Sequence, residues 1–248
     1  MKPSKALLAF VTATAIAVAT SSAAITVTAS SSAAGPRINA ANVNDTIATD
    51  WDLGIANTIA VYFGTENSIG GTFTATFAGQ AMTVVQVVGG TNNHISGIAY
   101  LINPTVTIGD VVIQATHNGA GRHSYAWGIV SLSGVDSVAG TDTRTTNGNL
   151  SYTVGLNGGF VLGAATNNNF SGPAPTITGN PSTDLFNSAF DGNAAARFAY
   201  GTAPVGSSSD AYSGLASAVT VAFNAVPEPS TALLGGLGML FLLRRHRG

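Results

Sequence analysis

Two histidines that flank a glycine-rich turn, His117 and His123, are the first candidates for chemistry in this sequence. If the segment between them closes a hairpin, the two imidazoles would lie close together across the strands. With Asp110 or Asp136 nearby, such a pair could hold a metal ion. The spacing fixes no third ligand, so the pattern favours two exposed loop histidines, and we predict neither a metal nor a cofactor.

A hydrolytic centre has few candidates. The sequence contains no Gly-x-Ser-x-Gly turn, which would present a nucleophilic serine. Asp50 and Asp52 are the paired acids, but residues two apart point the same way if they lie on a strand. Glu66 stands at a strand end, and His94 is expected to be exposed in a polar loop. We therefore predict that the protein is not an enzyme, and a weak hydrolase using His117 or Glu66 is the third hypothesis.

A carbohydrate site is the stronger alternative. Trp51 could stack on a sugar ring, and the amides of the asparagine-rich loop around Asn168 could bind its hydroxyls. Calcium could be held by Asp50, Asp52 or Asp191, although the sequence has no EF-hand loop. The competing interpretation places Trp51 in the core and uses the asparagines for turns. That interpretation is favoured, and the sugar site at Trp51 and Asn168 is kept as a hypothesis.

A threonine ladder invites an ice-binding hypothesis. Thr72, Thr74 and Thr76 alternate along one segment, and Thr141 and Thr143 repeat the spacing. Regular hydroxyls on a flat sheet could order water. Threonine is also common on the wet face of an ordinary strand, and one ladder without stacked repeats favours that ordinary interpretation.

The central part of the chain has a period of two, which predicts β-strands. Phe73, Ala75 and Phe77 alternate with the threonines, so aromatic rings and hydroxyls should lie on opposite faces. Segments that are apolar on both faces, such as Gly128–Leu132 and Phe160–Ala165, fit central strands. Clusters of Gly, Asn, Pro and Ser separate these runs. We predict a single antiparallel β-sandwich, jelly-roll-like, of about ten strands, with no internal repeat and no helix between the termini.

Three short motifs in the body also resemble a β-sandwich layout found in exported bacterial surface proteins. They are Gly79–Thr83, Tyr100–Pro104 and Val130–Asp136. The resemblance implies a fold and carries over no catalytic residues. In their own terms the motifs predict a turn at Gly79, a loop that ends a strand at Asn103, and a strand exit at Gly134.

The first 24 residues are typical of an export signal. Lys2 and Lys5 precede a weakly apolar run from Ala6 to Ala19, and small residues follow. Cleavage is expected near Ala23 or Ala24. The alternative is an uncleaved membrane anchor, which this short run fits less well.

The last residues form a second separate segment. Pro227, Glu228 and Pro229 interrupt the preceding strand, and an apolar run from residue 231 to residue 243 follows them. As a helix that run would be about 20 Å long, which by length alone is a marginal span of a hydrocarbon layer about 30 Å thick. A buried core helix is the alternative, but the run has no polar face before the arginines, so we predict a short transmembrane helix. Three arginines follow the run and would hold the terminus in the cytoplasm, namely Arg244, Arg245 and Arg247.

The order of these three parts resembles the sorting signal of PEP-CTERM proteins. The resemblance covers about the last 23 residues and is specific in order and spacing. It implies a Gram-negative bacterium, transient anchoring in the inner membrane, and processing near the Pro-Glu-Pro by an exosortase. The class is generally associated with an extracellular polysaccharide matrix.

The overall composition excludes several function classes. Only 8% of residues are charged, where a soluble domain has about 25%, which argues against a nucleic-acid partner. The chain has no cysteine, so an exported body must be stable through its apolar core alone. Residues 1–24, 25–224 and 225–248 are thus predicted to be a signal peptide, a β-sandwich domain and a sorting segment. We predict a structural or adhesive protein of the cell surface or matrix, with a carbohydrate-binding module as the alternative and polysaccharide as a candidate partner.

Overall fold

The structure is a computed structural model that describes residues 24–35, 42–66, 71–89, 94–116, 124–155, 158–167, 174–190 and 194–227. Within these ranges the chain forms strands and no helix. The strands are β1 (Thr26–Ala34), β2 (Asn42–Asp52), β3 (Thr58–Thr65), β4 (Phe73–Phe77), β5 (Gln80–Ala81), β6 (Thr83–Gly89), β7 (His94–Ile102), β8 (Ile108–Thr116), β9 (Tyr125–Ser133), β10 (Val135–Arg144), β11 (Gly148–Val154), β12 (Gly159–Asn167), β13 (Thr176–Thr178), β14 (Thr183–Ala189), β15 (Ala195–Ala203), β16 (Gly206–Ser213) and β17 (Ser217–Ala225).

These strands form four antiparallel sheets. Sheet I has the order β2-β8-β4-β5, and sheet II has the order β1-β9-β3-β7-β6. Sheet III has the order β10-β17-β12-β15-β14, and sheet IV has the order β11-β16-β13. The prediction of an all-β, antiparallel body is confirmed for the described residues. The predicted signal peptide and transmembrane helix lie outside those residues, apart from Ala24.

The number of strands and sheets differs from the prediction of one sandwich with about ten strands. The described residues contain seventeen strands, and their four sheets stack into two sandwiches. One apolar core lies between sheets I and II, a second between sheets II and III, and two smaller clusters between sheets III and IV. In β3, for example, Phe63 packs toward sheet I whereas Tyr62 packs toward sheet III.

The two sandwiches repeat one topology. Strands β1 to β9 build sheets I and II, and strands β10 to β17 build sheets III and IV. The order β1-β9-β3-β7-β6 in sheet II recurs as β10-β17-β12-β15-β14 in sheet III, and β2-β8-β4 in sheet I recurs as β11-β16-β13 in sheet IV. Only the two-residue β5 lacks a counterpart. The prediction of no internal repeat is therefore wrong at the level of strand topology.

The predicted turns lie at positions that need a left-handed backbone. Ala78 and Gly79 have φ values of 48° and 76° in the turn between β4 and β5. Asn103 has a φ of 51° directly after β7, and an asparagine tolerates this region better than most residues. Gly134 has a φ of 81° where the chain passes from the first sandwich to the second. All three motif predictions are confirmed.

Rings and hydroxyls fix the inner sheets against each other. The Tyr62 ring of sheet II stacks on Phe198 of sheet III at a centroid distance of 5.4 Å, and its hydroxyl donates to the carbonyl of Ala199 at 3.1 Å. Nearer one end, the hydroxyls of Ser96 and Ser217 lie 2.8 Å apart. These directional contacts across the buried interface join the two sandwiches.

Several edge strands are irregular, which protects them from pairing with other chains. Register shifts occur in the pairings of β1, β2, β10 and β14, and each of these strands lies at the edge of its sheet. Bulges at edges are a known way to prevent strand addition. On the edge strand β11, the backbone N–H of Ser151 donates to the carboxylate of Asp142 at 2.9 Å. The sheet faces are therefore better placed than these edges to contact a partner.

Candidate functional site

The outer face of sheet I carries a lattice of uncharged side chains, all of them polar except Val112. Strand β4 buries Phe73, Ala75 and Phe77, so the intervening threonines point outward. The same alternation on β2 and β8 turns amides and hydroxyls outward. We call this lattice face I: Asn42, Asn44, Thr46, Thr72, Thr74, Thr76, Val112, Gln114 and Thr116.

Strand register brings the face I side chains into rows. Thr74 lies opposite Gln114, and Gln114 lies opposite Asn44 on the next strand. The Gln114 amide donates to the Asn44 carbonyl oxygen at 3.4 Å. In the neighbouring row the hydroxyls of Thr72 and Thr116 lie 2.8 Å apart. Face I is thus a cross-strand array of hydrogen-bonding groups, bordered further along β8 by the carboxylate of Asp110.

Sheet IV presents a similar lattice on its own outer side, in which Ala211 is the one apolar residue. Ser151 lies opposite Ser209, and Thr153 lies opposite Ser207 with their hydroxyls 3.1 Å apart. A shallow groove of about 400 Å³ lies over these strands. We call this lattice face IV: Asn149, Ser151, Thr153, Thr176, Thr178, Ser207, Ser209, Ala211 and Ser213.

Faces I and IV share a chemistry that follows from their composition. Neither lattice contains a charged or aromatic side chain. Neighbouring strands are about 4.8 Å apart, and same-face residues along a strand are about 7 Å apart. Hydroxyls and amides at this spacing can donate and accept hydrogen bonds without selecting for a charged ligand. The faces therefore suit a neutral, hydroxyl-rich surface.

Trp51 is half-buried on β2 and packs against the core between sheets I and II. Its indole N–H donates to the hydroxyl of Ser131 at 2.8 Å, and Ser131 is fully buried. Among the described residues, the aromatic side chains are buried or half-buried. Asn168 lies outside the described residues, and the sugar site at Trp51 and Asn168 stays a prediction.

We expect Trp51→Phe to lower the free energy of unfolding by about 1 to 2 kcal/mol, because it leaves the buried Ser131 hydroxyl without its donor. Urea denaturation followed by fluorescence measures this change. Trp127→Phe is the control, since the Trp127 side chain is also half-buried against the same core and forms no hydrogen bond within the described residues. Equal losses in the two variants would contradict a role for the indole N–H.

His94 and Glu66 are both buried. His94 is the first residue of β7 and is 1% exposed, so the prediction of an exposed loop histidine is wrong. Burial lowers the pKa of His94 to about 4, and neither ring nitrogen has a hydrogen-bond partner among the described residues. Glu66 follows β3, as expected for a strand end, and is 3% exposed. Burial of both groups gives the weak-hydrolase hypothesis no accessible acid or base at these positions.

The acidic residues around Trp51 are used by the local backbone. The carboxylate of Asp52 accepts the N–H of Gly54 at 2.8 Å, and that of Asp110 accepts the N–H of Asp50 at 3.1 Å. Asp50 has a φ of 49° and lies in a bulged part of β2, so the regular alternation assumed for Asp50 and Asp52 is broken there. Among the described residues no three His, Asp or Glu side chains cluster as a metal site.

Several predicted residues cannot be placed. His117 and His123 lie outside the described residues, and so do Asp191, Glu228 and Pro229. The arginines that were predicted to stop the chain in the membrane also lie there, namely Arg244, Arg245 and Arg247. The predictions for these positions stay predictions.

A buried carboxylate in the second sandwich was missed by the sequence analysis. Asp210 is fully buried on β16, between sheets III and IV, and accepts the N–H of Asn180 at 2.8 Å. Burial raises the pKa of Asp210, and it also raises the pKa of the neighbouring Tyr152 and Tyr212 well above the usual tyrosine value. The sequence did contain a signal. Asp210 lies two residues before the buried Tyr212 on β16, so the alternation along the strand places both side chains on the same, buried face.

The chain leaves the body at a fixed point. The backbone N–H of Val226 donates to the carbonyl of Gly134 at 2.9 Å, and Pro227 is the exposed last residue of the described range. Residue 228 and all later residues lie outside the structure described here. Among the residues that are described, no helix is long and apolar enough to cross a membrane.

Comparison with known proteins identifies the final segment. Residues 225–247 match the PEP-CTERM protein-sorting motif, which confirms the resemblance predicted from the sequence. The motif implies an exported protein that is directed to an exosortase, anchored at the membrane during sorting, and destined for the cell surface. No curated protein matches the chain.

Proposed function

We propose that this protein is a non-enzymatic structural or adhesive component of the cell surface or extracellular polysaccharide matrix, released to that location by exosortase processing. The sorting motif at residues 225–247 supports the route. Faces I and IV support the adhesive role, because uncharged hydrogen-bonding lattices on both outer sheets would suit contact with the glycans of the proposed location. These two lattices are the observation on which the proposal mainly depends.

A rigid body with two similar adhesive faces would join neighbouring polymers. Sheets I and IV are the outer layers, and the buried contacts between sheets II and III hold the two sandwiches together. Each face would hold a neutral polysaccharide weakly through hydroxyl and amide hydrogen bonds. Two weak contacts on one body strengthen binding when both faces reach the same matrix. The carbohydrate-binding alternative at Trp51 would instead predict a single site that depends on one ring.

The test adds charge to the faces. We expect the full-length chain in detergent to bind beads of a neutral β-glucan more strongly than beads of anionic alginate. Thr74→Glu with Gln114→Glu alters face I, and Ser151→Glu with Ser209→Glu alters face IV. Each pair should reduce retention on the glucan several-fold, and all four substitutions should abolish it, because buried carboxylates are costly to desolvate.

The control is a charge-matched pair away from both faces. Thr183→Glu and Ser188→Glu lie on the exposed strand β14 of sheet III and add the same charge. Retention of this variant should equal that of the unmodified chain. If the control pair weakens retention as much as the face pairs, or if none of the variants changes it, the adhesive role of faces I and IV is wrong.

A further inference from the structure

One end of the stacked sheets carries exposed apolar side chains. Among the described residues five large apolar side chains are exposed: Ile55 (84%), Ile108 (55%), Val205 (53%), Val106 (42%) and Val226 (38%). All five lie in or beside the connections after β2, β7, β15 and β17. Single exposed apolar residues are common, whereas five at the same end offer a larger apolar contact area there.

Strand register shows that these connections lie at the same end. In the first sandwich, Asp52 at the end of β2 pairs with Ile108 at the start of β8. The end of sheet II at which β7 finishes lies beside the end of sheet III at which β17 finishes. The contact between the rings of Tyr100 and Phe223, near the ends of these two strands, shows this. At the opposite end Ser96 contacts Ser217. We call the end with the five apolar side chains the exit end.

Both termini of the body lie at the exit end. Val226 is bonded to Gly134 there, and Pro227 follows it. A Cβ atom on Gly134 would lie 3.3 Å from the carbonyl oxygen of Ala24, so the first described residue is close to the same point. The segments predicted to meet the membrane, on either side of the body in sequence, are therefore joined to this end.

The connection to the predicted apolar helix is short. Only Glu228, Pro229 and Ser230 separate Pro227 from the start of the apolar run at Thr231. Fully extended, that stretch spans at most about 14 Å. The headgroup layer on each side of the hydrocarbon core is about 5 to 8 Å thick. When the apolar run is inserted, the exit end therefore cannot be far from the lipid headgroups.

We propose that the exit end is a membrane-contacting surface, with its five apolar side chains in the lipid interface while the sorting segment is inserted. The inference rests on the proposed sorting function and adds a fixed orientation to it. Apolar side chains gain free energy at the boundary between headgroups and acyl chains. Faces I and IV would then stand roughly perpendicular to the membrane and stay accessible to polymer.

The acidic residues at the exit end specify the lipid. Four acidic residues lie near the exit end, namely Asp50, Asp52, Asp110 and Asp136. The two arginines of the described residues, Arg144 and Arg197, lie toward the opposite end, where they pair in register with Ala218 and Ala165. The exit end should therefore prefer zwitterionic headgroups, because anionic lipids would repel its carboxylates.

The absence of cysteine from the chain permits a direct test by single labels. A fluorophore on Ile55→Cys or Val205→Cys reports on the exit end. Thr116→Cys and Ser188→Cys are exposed controls toward the opposite end. The full-length chain is placed in phosphatidylcholine vesicles that contain lipids with a nitroxide near the headgroup. Quenching at 55 and 205 should exceed that at 116 and 188 by about threefold or more, since interfacial contact is limited to the first 5 to 10 Å.

Two further measurements separate the possible failures. Replacing half of the phosphatidylcholine by phosphatidylglycerol should reduce the quenching at 55 and 205. Inserting a flexible spacer of about fifteen residues after Pro227 should reduce it further, while the chain still floats with the vesicles. Equal quenching at all four positions in a chain that floats would overturn the inference and leave the sorting function intact. A chain that does not float at all would overturn both.

Discussion

Deletion of residues 228–248 is expected to convert a membrane-retained chain into a soluble, released one. The deletion leaves β17 complete and keeps the hydrogen bond between Val226 and Gly134, so the body should fold as before. It removes the apolar run and the terminal arginines, which are the parts predicted to hold the chain at the membrane. Fractionation should show most of the full-length chain in the membrane pellet. The ratio of soluble to pelleted protein should be at least about tenfold higher for the deleted chain, since transfer of about thirteen largely apolar residues out of lipid is costly.

The arginines provide a finer test of the same segment. Substitution of Arg244, Arg245 and Arg247 by Glu should reduce retention, because positive charge on the cytoplasmic side fixes the orientation of an inserted helix. Substitution of the same three residues by Lys should preserve it. Retention that is unchanged in the Glu variant, or a deleted chain that stays in the pellet, would contradict the membrane role of the match at residues 225–247.

The sequence predicted strand faces well wherever one side of a strand is wet. Phe73 and Phe77 are buried and Thr74 is exposed, as the alternation predicts. Leu150 and Tyr152 are buried and Ser151 is exposed in the same way. In these strands the pattern itself carries the information, because only one face loses contact with water.

The four-layer arrangement was not predictable from the same pattern. Strand β3 is buried at every position from Thr58 to Thr65. Because neither of its faces contacts water, its sequence has no alternation of polar and apolar residues that would distinguish the two faces. Central strands β9 and β12 were identified as buried on both faces, and this is confirmed. A strand buried on both sides is equally compatible with the centre of one sandwich or with an inner layer of two.

The repeated topology was hidden for a related reason. Strand β3 (TIAVYFGT) and its counterpart β12 (GFVLGAATN) share burial but little sequence. A buried strand accepts many apolar residues provided that volume and pattern are kept. The order of strands in a sheet depends on contacts between residues far apart in the sequence. It therefore leaves no fixed spacing of residue types that would reveal the repeat.

The candidate sites show where local rules fail. His94 follows a run of polar residues, which predicts a loop, but pairing with Gly89 places it at the start of a buried strand. Trp51 was predicted either to stack on a sugar or to pack in the core, and its half-buried position with a bonded N–H agrees more closely with the second interpretation. Tertiary contacts decide both positions, and they involve strands far away in sequence.

Acidification is expected to destabilise the folded protein through His94. The side chain is 1% exposed, and burial lowers its pKa from 6.5 to about 4. Between these two values the unfolded chain binds a proton at His94 and the folded chain does not, so stability falls as the pH falls. The loss begins near pH 6.5 and is complete below about pH 4. It amounts to about 3 kcal/mol in the free energy of unfolding.

His94→Gln removes this titration and retains a polar side chain. The unfolding free energies of the variant and the unmodified chain are compared by urea denaturation at about pH 7, 5.5 and 4. Between pH 7 and pH 4 the variant should gain about 3 kcal/mol relative to the unmodified chain. The comparison cancels titrations that both chains share. Parallel pH profiles would show that His94 is not responsible.

Asp210 supplies a control of opposite sign. Burial raises its pKa, so the cost of keeping this carboxylate ionised in the folded state disappears as the pH falls through that raised pKa. Asp210 therefore favours folding at acidic pH relative to neutral pH. Asp210→Asn should remove that gain, and its profile should decline more steeply on acidification than the profile of the unmodified chain. Combining His94→Gln with Asp210→Asn should add the two effects, because the side chains belong to different sandwiches.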